Sequence, residues 1–144
     1  MMDSLFFISD IDGTIYREKK VTEEELLFLN SVSKRHPIVL ATGRNYAMFH
    51  RFIQEYNVEY EYCILNNGAL VMNKHGSILL SLTMKTNMIL PIVQEILLKN
   101  KTIVNITFSY LQQNIFLEGI HSNNFLKRVS NIPLITNSVT LEIN

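Results

Sequence analysis

Apolar residues fall along this chain in two rhythms. Short uninterrupted runs at Leu5-Phe6-Phe7-Ile8, Ile38-Val39-Leu40-Ala41 and Cys63-Ile64-Leu65 have the length of strands buried on both faces. The segments between them repeat at three- and four-residue spacing. The first opens at Thr22-Glu23-Glu24-Glu25, a capping box in which Thr22 accepts from the Glu25 amide while Glu25 reaches back, with Val21 placed to staple onto Leu26. A helix is predicted from there to about Arg35, ahead of Pro37. A second is predicted from Asn45 to Tyr56, with Met48, Phe49, Phe52 and Ile53 on one face. The order β-α-β-α-β with short connections predicts a parallel sheet with right-handed crossovers, so that the three strand ends, at Asp10, Thr42 and Asn66, share one edge.

Beyond the third run the rhythm changes. Ala69 to Met72 and Ile78 to Leu82 flank Asn73-Lys74-His75-Gly76-Ser77 and predict a β-hairpin with a Gly-containing loop. The polar residues Thr83, Lys85, Thr86 and Asn87 then interrupt the apolar pattern, and a domain boundary is expected there, between residues 1–82 and 83–144. The second region predicts a helix from Met88 to about Lys99, with Pro91 near its start where it costs little. A strand pair at Thr102 to Tyr110 and Ile115 to Glu118 follows, across Leu111-Gln112-Gln113-Asn114. Next come a helix at about Asn123 to Ser130 and an alternating strand at Val139 to Ile143. This is an α+β lobe without internal repeats.

Composition narrows the function classes. Hydrophobic residues make up 47% of 144, enough for a real core, and 13 basic residues balance 13 acidic ones without a like-charge block. No extended positive surface is offered to nucleic acid or anionic lipid, so neither is an expected partner. Cys63 lies inside an apolar run and reads as a small buried hydrophobe; a cytoplasmic, reducing compartment is expected. No stretch approaches the ~20 apolar residues of a membrane span. His36, His50, His75 and His121 show no recurring metal spacing, and zinc is not expected.

The candidate chemistry sits after the first run, at Asp10-Ile11-Asp12-Gly13-Thr14. Two carboxylates two positions apart at the end of a strand converge on one metal or phosphate, and Gly13 lets the backbone turn sharply after them. Asp10 is the natural nucleophile of such a phosphoryl-transfer site and Asp12 the natural proton donor. A calcium loop is the competing reading, but its twelfth position, which calls for Glu, is Val21. An ordinary Asp-Gly turn is the other. Thr42-Gly43-Arg44 and Asn66-Asn67-Gly68-Ala69 end the next two runs. Taken alone, the former is a helix lead-in and the latter a hairpin turn.

Taken together, Phe6-Phe7-Ile8-Ser9-Asp10-Ile11-Asp12-Gly13-Thr14, Ala41-Thr42-Gly43-Arg44 and Asn66-Asn67-Gly68-Ala69 resemble the motifs of the haloacid-dehalogenase (HAD) superfamily, in the form of its Cof-type (subfamily IIB) phosphatases. The resemblance implies an α/β fold: a Rossmann-like parallel three-layer core, incomplete in this chain, with a small α+β cap. It also implies the chemistry. Asp10 would attack a phosphoryl group to form an aspartyl-phosphate, and Asp12 would protonate the leaving oxygen. Mg²⁺ would be held by Asp10 and by the backbone carbonyl of Asp12. Thr42 would donate to the phosphoryl group, Gly43 and Arg44 would line the substrate mouth, and Asn66 and Asn67 would reach a small, sugar phosphate-like metabolite.

The pattern departs from the family in its later motifs. A phosphate-neutralising lysine motif and a Gly-Asp-x-x-x-Asp run are not found, and beyond residue 85 the acidic residues are Glu95, Glu118 and Glu142 alone. In the fold it resembles, the first strand is central, so Leu5 to Ser9 is expected here as a bare apolar edge that self-associates or takes a completing chain. Three functions are therefore in play: a Mg²⁺-dependent phosphatase, a truncated non-catalytic binding or assembly module, and a phosphomutase.

Overall fold

The computed structural model describes residues 5–85, 87–89, 91, 92 and 95, together with the backbone of 103–110, 113–118, 135, 136 and 139–143. Two compact units result, Met1–Ser81 and Leu82–Asn144.

In the first unit, β1 (Phe7–Asp10), β2 (Ile38–Ala41) and β3 (Tyr62–Leu65) run parallel, joined by α1 (Glu23–Ser33) and α2 (Tyr46–Tyr56). The capping box forms as the sequence dictates. Thr22 accepts from the Glu25 amide at 3.3 Å, and the Glu25 carboxylate takes the Thr22 amide at 2.8 Å. Asn45 caps α2 by accepting from the Met48 amide, and Asn57 closes that helix in the left-handed region at φ 50°. Both helices stop within two residues of the positions their patterns predict. Two antiparallel strands, β4 (Leu70–Asn73) and β5 (Ile78–Ser81), extend the sheet to the order β1-β2-β3-β4-β5.

The burial alternates strictly on β3 and β4. Cys63, Leu65, Leu70 and Met72 point into one cluster with Ile38 and Leu40, with Leu29 of α1, and with Phe49 and Phe52 of α2. Both helices therefore cover the same face, and each large side chain fully buried there contributes about 1.5–3 kcal/mol. The opposite face is open at its outer strands, where Phe6, Ile8 and Leu80 are 52%, 63% and 44% exposed, while Val39 between them is buried. This corrects the expectation of a first strand buried on both sides. On β1 only Ser9 is buried, because the strand has a single partner, β2, and a helix on one side. Among the described residues β1 is the outer strand of the sheet, with Leu5, Phe6 and Ile8 exposed.

The second unit is described by its strands. β7 (Ile103–Tyr110) lies between β10 (Val139–Ile143) and β8 (Gln113–Glu118), all antiparallel. Gln113 and Asn114 belong to β8 rather than to the turn, so the connection shortens to residues 111–112. Thr83–Met84, at the break read from the sequence, forms β6 and pairs with β9 (Ile135–Thr136), a distant contact that no local pattern signals. Residues 87–89, 91, 92 and 95 are helical. The remainder of that predicted helix, and the one at Asn123 to Ser130, lie outside the described residues.

Candidate functional site

The site begins with the ends of three neighbouring parallel strands. Backbone bonds stitch them together beyond the strands proper, from the Ile11 amide to the Ala41 carbonyl (3.2 Å), from Thr42 to Ile64 (2.9 Å) and from Asn66 to Arg44 (3.0 Å). Ile11 is fully buried, so it anchors the segment while its neighbours Asp10 and Asp12 remain at the surface. The carbonyl of Ile11 accepts from the Ile15 and Tyr16 amides, which winds the chain into a tight loop, and Gly13 takes the positive φ of 86° that this loop requires.

Asp12, Thr42 and Arg44 bond directly. The Arg44 guanidinium meets the Asp12 carboxylate with Nε at 2.9 Å from Oδ2 and Nη2 at 2.6 Å from Oδ1. The Thr42 hydroxyl donates to Asp12 Oδ2 at 3.1 Å and accepts from the Arg44 amide at 3.1 Å. Arg44 is fixed from the other side as well, its guanidinium carbon lying 4.7 Å from the Tyr16 ring centre and 5.0 Å from that of Phe52. The cation is the enclosed partner, with a side chain 14% exposed against 50% for Asp12. The hydrogen bonds from Arg44, then its charge and the Thr42 hydroxyl, outweigh the opposing effect of burial and hold the Asp12 carboxyl below its usual value.

Asp10 ends β1 on the same edge but is not held by the Arg44 fork; its Oδ2 accepts from the Thr14 hydroxyl at 3.3 Å. Asn66 and Asn67 both adopt positive φ, 50° and 55°, in the four-residue connection between β3 and β4, so the Asn-Gly pair does serve a hairpin turn. The same turn approaches β2. The Asn67 amide donates to the Thr42 carbonyl at 3.3 Å, and a Cβ at Gly43 would lie 2.9 Å from Asn67 Oδ1. A larger residue there would have to displace the Asn67 side chain. The Asn66 side chain is buried, and among the described residues its Oδ1 has no hydrogen-bond partner.

The geometry thus brings all seven candidates to one edge. Asp12, Thr42 and Arg44 are joined by side-chain bonds, Gly43, Asn66 and Asn67 by backbone and close contact, and Asp10 lies beside them. Sequence reasoning assigned no role to Tyr16 and Phe52. Phe52 was legible as part of the apolar face of α2, whereas nothing in the pattern marked Tyr16. A cavity of about 180 Å³ lies at the opposite ends of β2 and β3, lined by His36, Pro37, Tyr60, Glu61 and Lys74 among others, and shares no residue with this edge.

Known proteins agree with this architecture. A structure of a putative HAD/COF-like hydrolase from Plasmodium vivax superposes with a TM-score of 0.74 at 18% identity, over 98% of this chain and 56% of that one. The HAD subclass IIB sugar phosphatase BT4131 gives 0.67 at 18% identity, over 90% and 55%. An uncharacterised protein of Mycoplasma capricolum is 27% identical over 128 residues, 82% of this chain and 46% of that protein. The chain therefore spans about half the length of the proteins it matches. The sequence profile described as haloacid dehalogenase-like hydrolase matches residues 7–140, nearly the whole length, and the chain belongs to that family.

Proposed function

We propose that this chain, together with the polypeptide that corresponds to the rest of its relatives' length, makes a phosphomonoesterase that hydrolyses a small, sugar phosphate-like metabolite through an aspartyl-phosphate. The observation that carries the reading is the convergence, at the ends of three parallel strands, of two carboxylates, a fixed guanidinium and a buried hydroxyl. Asp10 stands off the Arg44 fork, as a nucleophile must. Its carboxylate oxygen would bond to phosphorus as the ester oxygen leaves with a proton from Asp12, and water activated by Asp12 would then release the phosphate. Thr42 and Arg44 would hold phosphoryl oxygens, with Gly43 keeping the approach clear. Asn66 and Asn67 would reach the substrate from the turn that approaches Thr42.

The donor set fits Mg²⁺ in part. Mg²⁺ keeps several waters and takes one or two carboxylates together with phosphate oxygens, and Asp10 with the Asp12 carbonyl supplies that minimum. Among the described residues no group of three or more carboxylate, histidine or cysteine side chains gathers. The ion would neutralise phosphate charge as Asp10 approaches. Asp10→Asn in the complete enzyme is expected to abolish turnover of every phosphoester that the wild type hydrolyses; unchanged turnover would end the proposal. Transfer of the phosphoryl group to a second sugar hydroxyl, rather than to water, would mark a phosphomutase.

A second reading concerns residues 1–144 by themselves. Arg44, the cation bonded at this edge, is held by Asp12 at rest, so one guanidinium has to serve two carboxylates and an incoming phosphate, too little positive charge for turnover. The isolated chain is therefore proposed to be a non-catalytic module, whose exposed β1 edge self-associates or takes a completing chain that corresponds to the rest of its relatives' length. Mg²⁺-dependent phosphate release by purified 1–144 would contradict the first point. A monomer that stays monodisperse at high concentration, with the amides of β1 no better protected than loop amides, would contradict the need for a cover.

A further inference from the structure

We infer that the Arg44 guanidinium is an oxyanion fork for which the Asp12 carboxylate and the substrate phosphoryl group compete, so that phosphate binding proceeds by exchange and frees Asp12. The inference rests on the phosphatase reading for its meaning and on the geometry of one ion pair for its argument.

Two observations decide which partner is built in. Arg44 is enclosed, its guanidinium carbon 4.7 and 5.0 Å from the ring centres of Tyr16 and Phe52, which meet edge-to-face beside it, and it is anchored through its backbone amide to the Thr42 hydroxyl. Asp12 is half exposed and sits one residue before Gly13, at the mouth of a loop whose φ of 86° only glycine takes without strain. The cation is therefore the fixed element and the carboxylate the replaceable one. The fork engages both Asp12 oxygens, Nε on Oδ2 and Nη2 on Oδ1. Two oxygens of a phosphate present a similar spacing to the same pair of N–H groups, so the fork accepts one anion or the other and not both. A phosphate dianion carries more charge than a carboxylate and takes the fork at sufficient concentration. Asp12 then keeps only the Thr42 hydroxyl among its present partners. The carboxylate thus serves as a stand-in for the ligand, keeping a fixed cation satisfied until the ligand arrives.

The test is inorganic phosphate binding to the chain, by calorimetry, in four forms: wild type, Asp12→Asn, Asp10→Asn and Asp12→Asn/Arg44→Ala. Both single substitutions remove one negative charge from the same edge, but only D12N vacates the fork. D12N is expected to bind phosphate roughly ten-fold or more tighter than wild type, the scale of a charge-assisted hydrogen-bond pair. D10N should change affinity by less than about three-fold, a screened surface effect, and removing Arg44 should cancel the D12N gain. Equal gains for D12N and D10N, a gain that survives loss of Arg44, or no phosphate binding in D12N would each overturn the exchange. Should D12N fail to fold, the Arg44 Nε–H resonance of the wild type decides: it must shift as phosphate is added, and a signal unmoved at saturating phosphate overturns the inference. Asp10→Asn turnover in the complete enzyme judges the phosphatase reading separately, since neither result determines the other.

Discussion

Gly43→Ala tests how tightly the β3–β4 turn is pressed against the end of β2. The added Cβ would lie 2.9 Å from Asn67 Oδ1 and 3.6 Å from both Asn67 Cγ and Nδ2. An unstrained carbon–oxygen contact needs several tenths of an ångström more. Asn67 provides it by turning its exposed side chain, because its backbone is held at φ 55° and its backbone amide is bonded to the Thr42 carbonyl. Overpacking of this kind costs about 1–3 kcal/mol. The substitution also restricts the unfolded chain, which returns about 0.4–1 kcal/mol, so a net loss of about 1–2 kcal/mol is expected. Asn67→Gly removes the obstructing amide and suits the positive φ, so Gly43→Ala should become neutral or slightly stabilising in that background. Urea unfolding followed by far-ultraviolet circular dichroism measures both. With a slope of about 1–3 kcal/mol per molar urea, the single substitution lowers the midpoint by roughly 0.5–1 M, and the cycle shows a coupling of at least ~1 kcal/mol. A coupling within error of zero would refute the contact, and a raised midpoint for Gly43→Ala alone would refute the crowding.

Three further outcomes follow from the same coordinates. Thr22→Ala removes the side-chain half of the capping box and is expected to cost about 1 kcal/mol in thermal or urea unfolding; no measurable loss would show that α1 is held by its packing alone. The Asp12 carboxyl is depressed in the folded state, first by its hydrogen bonds from Arg44, so it contributes stability above its unfolded pKa near 3.8, and the contribution is lost as pH falls through the lower folded value. The stability gap between wild type and Arg44→Ala should therefore stay level from pH 6 to 8 and narrow below about pH 4, and a gap that widens on acidification would reverse the argument. Burial pushes the Cys63 thiol up to about 11, so it should resist a thiol-specific disulfide reagent at pH 8 until the chain is unfolded in urea. Rapid modification of the native protein would place Cys63 outside the core.

The local order of the first unit was legible because its signals are local. A capping box, a proline stop and an apolar face at helical spacing defined α1 and α2 to within two residues, and the three apolar runs marked the parallel strands. The three strand-end motifs could be expected at one edge because right-handed crossovers leave little choice. The second unit was less transparent, since the pairing of Thr83–Met84 with Ile135–Thr136 depends on a distant partner that confers strand character on a polar segment.

Residue identities and their spacing thus determined which groups meet at the edge, and the family to which the chain belongs. Tertiary packing alone decided what those groups do at rest. It set the Arg44 fork against Tyr16 and Phe52, turned the Thr42 hydroxyl toward Asp12 rather than outward, left Asn66 Oδ1 without a partner among the described residues, and exposed Phe6 and Ile8 on the outer strand of the sheet. The physical reason is that a sequence pattern records which side chains are apolar and how often they recur. The partner of a charge is set by competition among all the groups that the fold brings within hydrogen-bonding reach, and that competition has no one-dimensional signature.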